Sequence, residues 1–105
     1  MKIGLAQINP TVGDINGNCT KILEYIKIYS DKCDIIVFPE MVLTGYPPQD
    51  LLLESRFIQL ASMELETISE KVQNCVVVLG TIRKEEDKLY NTAAILLQGQ
   101  VIEFR

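Results

Sequence analysis

The chain of 105 residues contains no histidine. A Ser-His-Asp triad, a Cys-His dyad and a histidine-ligated zinc are therefore excluded within it. Nucleophilic chemistry here has to use another base, a carboxylate or a lysine. Long apolar runs are also missing. None approaches the roughly 18 residues of a membrane span. The opening residues M-K-I-G-L-A-Q-I-N-P turn polar too soon for a signal peptide. Both absences point to a cytoplasmic protein with no membrane partner. Basic residues are outnumbered, with Lys and Arg at 10 against Asp and Glu at 14, a net charge of −4. Nucleic-acid binding needs a basic patch and is not expected. Cysteines are few: Cys19, Cys33 and Cys75 are odd in number and widely spaced. They form neither a C-x-x-C pair nor a disulfide framework, and each reads as a small buried hydrophobe. The glycines at 4, 13, 17, 45, 80 and 99 make no G-x-G-x-x-G and no P-loop.

What is present is ordinary globular composition, 48% hydrophobic and 23% charged, enough for one small α/β domain. Its central stretch runs from Asp34 to Leu53. Ile35, Ile36, Val37 and Phe38 form an unbroken apolar run, which reads as a strand covered on both faces. Pro39 has no N–H for a sheet ladder and ends it. Glu40 follows directly, just past the carboxyl end of the strand, where open α/β sheets place functional groups. By position and type alone it is either such a group or a solvated loop carboxylate.

Around this stretch the pattern predicts a strand over 2–8, with Ile3, Leu5, Ala6 and Ile8 toward a core. Asp14 or Asn16 caps a helix over 16–31, whose apolar stripe is Ile15, Cys19, Ile22, Ile26 and Tyr29. Strand, helix, strand implies a right-handed βαβ unit with parallel strands. Asp50 caps a short turn over 51–54. Ser55 opens a second helix to about Gln73, with the stripe Phe57, Ala61, Leu65, Ile68 and Val72. Strands follow at 75–82, 89–97 and 100–104, an antiparallel meander with short turns. The charge run Arg83 to Lys88 reads as a solvated turn.

Two other constellations of carboxylates are present. Glu40 with Asp50 or Glu54 could act as a glycosidase-type couple, but Asp50 and Glu54 fit a cap and a solvated face, and that chemistry needs a fixed carboxyl separation. Asp31, Asp34 and Glu40 could form a phospho-acceptor site on a signalling module. The antiparallel meander argues against the repeated βα pattern such a module needs.

At Glu40 the chain resembles a known family. F-P-E-M-V-L-T-G-Y-P-P-Q-D-L-L-L is similar to the glutamate motif of the carbon–nitrogen hydrolase (nitrilase) superfamily. Its G-Y-P-P-x-D-L-L form looks like the glutaminase domain of glutamine-dependent NAD synthetases. L-A-Q-I-N-P-T-V-G-D-I-N-G-N, L-Y-N-T-A-A-I-L and G-Q-V-I-E-F-R resemble that family's opening strand and loop and two later strands. The resemblance implies an α-β-β-α sandwich, a hydrolase acting on carbon–nitrogen bonds, and a Glu-Lys-Cys triad with Glu40 as general base. It makes Tyr46 a candidate lining of the substrate pocket and glutamine, or another small amide, the substrate. ATP and magnesium would serve a separate synthetase domain, with no cofactor and no metal in this segment. The family's lysine follows directly after the strand ending at Phe104, and its cysteine lies further on. None of Cys19, Cys33 and Cys75 sits in a matching motif. The expectation is an incomplete domain, residues 1–105 being its N-terminal portion, inactive alone. A half sandwich would expose an apolar sheet face and unpaired edges. That predicts self-association, or pairing with the rest of the domain. The alternative is a non-catalytic interaction module or a fragment of another nitrilase-type amidase.

Overall fold

A computed structural model of the chain describes residues 1–45 and 55–105. Tyr46, the Asp50 cap and the turn expected at 51–54 lie outside the described residues. The elements in chain order are β1 (Ile3–Leu5), α1 (Ile15–Tyr29), β2 (Ile35–Val37), α2 (Ser55–Glu70), β3 (Val76–Glu85), β4 (Lys88–Leu97) and β5 (Gln100–Phe104). The strands form one sheet in the order β1-β2-β3-β4-β5. β1, β2 and β3 are parallel, and β3, β4 and β5 antiparallel.

Both helices form where the apolar stripes predict. Asp14 is the N-cap of α1, its Oδ1 accepting from Gly17 N at 3.0 Å. That satisfies one of the N–H groups a helix start leaves unpaired. Ile15, Cys19, Ile22 and Ile26 are buried, as are Phe57, Ala61, Leu65 and Ile68 of α2 and Val72 beyond it. Two right-handed crossovers taken in the same direction put both helices on one face of the sheet, and there α1 and α2 pack against each other. The register explains the core. Gly4, Ile36, Val77 and Leu96 lie in one row across four strands, and Ile36, Val77 and Leu96 are fully buried under the helices.

The opposite face carries the neighbouring row, Leu5, Val37, Val78 and Ile95. Leu5 is 68% exposed and Ile3 58%, while Val37, Val78 and Ile95 are half-buried. Three expectations are corrected here. Ile3 and Leu5 point away from the helices, and Ala6 is the buried residue; period-two alternation fixes which residues share a face, not which face is covered. Among the described residues both helices fall on one side of β2, so no helix covers its other face. The charge run is likewise mostly strand. β3 continues to Glu85 and β4 begins at Lys88, so only Glu86 and Asp87 turn, with Glu86 at φ 57°. The turn at Gln98 and Gly99, both at positive φ, is the two-residue type that matches strand twist.

Candidate active site

β2 delivers its carboxyl end to a tight turn. Phe38 N donates to Val78 O at 2.8 Å, one last ladder bond, and Pro39 stops the strand. Residues 41–44 then turn, closed by Gly45 N donating to Met41 O at 2.7 Å. Met41 sits at φ 50°, a conformation that L residues adopt at a cost. Three neighbours hold it there. Beneath lies Gly80 of β3, where a Cβ would stand 2.4 Å from Met41 N and 2.7 Å from Glu40 Cα. Leu43 N donates to Gly80 O at 3.3 Å. From the side, Gly45 at φ 67° lets the turn meet Val12, which a Cβ would strike at 2.8 Å.

The third neighbour is Asn18 of α1, 1% exposed. Its Nδ2 donates to Thr11 O at 2.9 Å and to Leu43 O at 3.0 Å, and its Oδ1 accepts from Thr11 N at 2.7 Å. One amide thus ties helix, opening loop and Glu40 turn together. Gly13 N adds a bond to Thr44 O at 3.0 Å. Asn18 was not singled out from the sequence, although the signal was there. It stands three residues after Ile15, on the apolar stripe, and a polar side chain buried there requires partners.

Glu40 emerges from this frame exposed, and Asn91 of β4 donates its Nδ2–H to Glu40 Oε1. Two depressions flank the carboxylate. One, of about 620 Å³, lies between the opening loop and the turn and is lined by Gln7, Asn9, Pro10, Val12 and Pro39. The other, of about 330 Å³, opens on the uncovered sheet face among Val37, Val78, Gly80, Asn91 and Ala93.

The cysteines stand elsewhere. Cys19 lies buried among the helices; burial, then a hydrogen bond from the thiol to Glu64 and that carboxylate's charge, push the thiol up to about 12. Cys75, at the amino end of β3, is buried and also pushed up, with Cys33 and Asp31 adding to the effect. A nucleophilic cysteine needs the opposite shift. The phospho-acceptor grouping is not assembled. Asp34 Oδ2 accepts from Lys2 N at 2.8 Å and Asp31 Oδ1 from Asn74 Nδ2 at 3.0 Å, both at the amino end of β2, while Glu40 lies beyond its carboxyl end. Among the described residues, no three His, Cys, Asp or Glu side chains group to hold a metal ion. No helix among them is long and apolar enough to cross a membrane.

Comparison with known proteins places this geometry. The sequence model of the carbon–nitrogen hydrolase family matches residues 2–104. The glutamine-dependent NAD(+) synthetase of Aquifex aeolicus is 42% identical over 104 residues, covering 97% of this chain and 18% of that protein. The crystal structure of a glutamine-dependent NAD(+) synthetase from Cytophaga hutchinsonii superposes with a TM-score of 0.92 at 28% identity, over 99% of this chain and 18% of the other. An amidase from Nesterenkonia sp. shares the fold, with a TM-score of 0.81 at 20% identity over 99% of this chain and 41% of its own. The chain thus spans about a fifth of the length of the curated relatives it matches. The family match over nearly the whole chain shows that the chain belongs to the carbon–nitrogen hydrolase family.

Proposed function

We propose that residues 1–105 are the N-terminal portion of a glutaminase-type hydrolase domain, in which Glu40 is the general base for a cysteine supplied from outside this segment. The observation that carries this is the clamping of Glu40 past the end of β2, over Gly80 and against Asn91, beside a depression that opens on the uncovered sheet face. A nucleophile arriving from that side meets the carboxylate first. The thiol proton passes to Glu40, and the thiolate attacks the amide carbon. The proton returns to the leaving nitrogen as the C–N bond breaks, giving ammonia and a thioester. Water then loses a proton to Glu40 and adds to the thioester carbonyl, and the departing thiolate takes that proton back. A lysine, also from outside this segment, stabilises the oxyanion.

Glutamine is the substrate, in keeping with the Aquifex relative's name, which calls that protein glutamine-dependent, and the ammonia serves NAD synthesis. The ATP and magnesium of that step belong to a separate domain, and the protein works in the cytoplasm. A glutaminase assay on the 105-residue chain should show no turnover. Mixed with the remaining glutaminase segment of the Aquifex relative, it should release ammonia, and Glu40→Gln should abolish most of that release. Undiminished turnover in the variant would sink the assignment.

A second reading concerns association. The apolar row through exposed Leu5 and half-buried Val37, Val78 and Ile95 favours pairing of this face with the rest of the domain, or self-association. Light scattering on the isolated chain tests it, and a clean monomer at high concentration would count against it.

A further inference from the structure

The L-Y-N-T segment enters the family resemblance, yet nothing in the base assignment uses its asparagine. Asn91 stands on β4 opposite Ile82 of β3, on the uncovered face of the sheet. It is exposed, so packing does not explain an amide at this point. Its Nδ2 reaches Glu40 across 51 residues of chain and donates to Oε1. The contact is not local: it joins the end of β2 to the middle of β4, with Gly80 of β3 between them.

We propose that Asn91 is the positioning residue of Glu40, holding the carboxylate plane in both of its protonation states. This rests on the assignment of Glu40 as base. A base that takes a proton from the thiol and returns it to nitrogen alternates between carboxylate and carboxylic acid. A carboxylate accepts only, whereas the acid also donates. An asparagine amide serves both, because Nδ2–H donates to the carboxylate and Oδ1 accepts from the acid after a rotation about its last torsion. A lysine or arginine would offer donors only and would resist the protonated form by favouring the charge. An aspartate would accept only and repel the carboxylate. Asn91 adds no net charge, and its backbone is held in the β3–β4 ladder opposite Ile82. Its reach to Oε1 is therefore set by the sheet rather than by a loop.

The test uses two readouts. In the isolated chain, the side-chain NH₂ signals of Asn91 should move on Glu40→Gln, while the backbone amides of Thr92 to Leu96 stay in place. Unmoved Asn91 signals would overturn the contact. In the reconstituted glutaminase, Asn91→Ala and the isosteric Asn91→Asp should each lower kcat by about 10- to 100-fold, the worth of one charge-assisted hydrogen bond. KM should stay within about twofold, since the interaction acts on proton transfer and not on substrate binding. Adding Asn91→Ala to Glu40→Gln should cost nothing further. Full activity in Asn91→Asp would overturn the proposal and leave the base assignment standing; full activity in Glu40→Gln would overturn the base assignment itself. A loss of affinity as large as the loss in kcat would also count against positioning.

Discussion

Single atoms decide much of this molecule. The hydrogen that serves as Gly80's side chain is what allows the Glu40 turn to lie on β3. Gly80→Ala places a Cβ 2.4 Å from the Met41 nitrogen, and the obstructing atoms are backbone, which cannot swing aside. Overpacking of this kind costs about 1–3 kcal/mol, so the urea midpoint should fall. Glu40 should also leave Asn91, read as loss of the Asn91 side-chain shift. Cys19 carries the pH dependence. Its folded pKa of about 12 lies above the ordinary thiol value of 9.0. Between those limits the unfolded chain releases a proton that the folded chain keeps. The stability from Cys19 is thus whole below pH 9 and drains away as pH rises toward about 12. Denaturation curves taken across that range should show the loss, and Cys19→Ala should flatten it. Of these residues, only Glu40 and the cysteines were legible in the sequence. Gly80 and Asn91 owe their roles to neighbours brought from other strands, and no local pattern encodes such a meeting.

At the scale of elements, the sequence speaks plainly where period and burial coincide. The stripes of α1 and α2 were correct because one face of each is buried and the other wet. β5 and its Gln98-Gly99 turn were correct because turn chemistry is local. Around β1 the pattern places Ala6 inward correctly but also Ile3 and Leu5, because alternation carries no sign. The Arg83 to Lys88 run was read as a turn because charge resembles solvent, although exposed strand ends tolerate charge equally well. The joint between elements is Asn18. Asn18→Ala leaves Thr11 O, Leu43 O and Thr11 N without the partner they share. Leu43 O loses a buried bond, at a cost of about 1–3 kcal/mol, whereas Thr11 is exposed and its carbonyl keeps the bond from Asp14 N. The variant should therefore melt measurably lower in calorimetry, with the Thr11 and Leu43 amide signals the most displaced.

For the whole molecule the governing fact is its one-sidedness. One face of the sheet is closed by two helices, and the other shows an apolar row that begins at Leu5, 68% exposed. Leu5→Glu removes apolar area that the fold itself does not use. Unfolding midpoints should hold within about 0.5 kcal/mol, the range for surface substitutions. Light scattering should show smaller particles than the parent chain forms. A large loss of stability with unchanged particle size would mean that Leu5 serves the core after all. This face was foreseen only through family resemblance. Composition could not have revealed it, since a covered and an uncovered strand draw on the same residues.

The strand order also sets a schedule. β3 to β5 are joined by turns at 86–87 and 98–99, whereas β1–β2 and β2–β3 each close a loop that holds an entire helix. Short closures cost less chain entropy and form sooner. Asn91 is then in place on a finished meander before β2 docks and carries Glu40 to it. Pulsed hydrogen exchange during refolding should protect the β3–β4 amides ahead of those of β1. The last event in folding is then also the one that brings Glu40 to Asn91, so a chain still short of its native state lacks that contact.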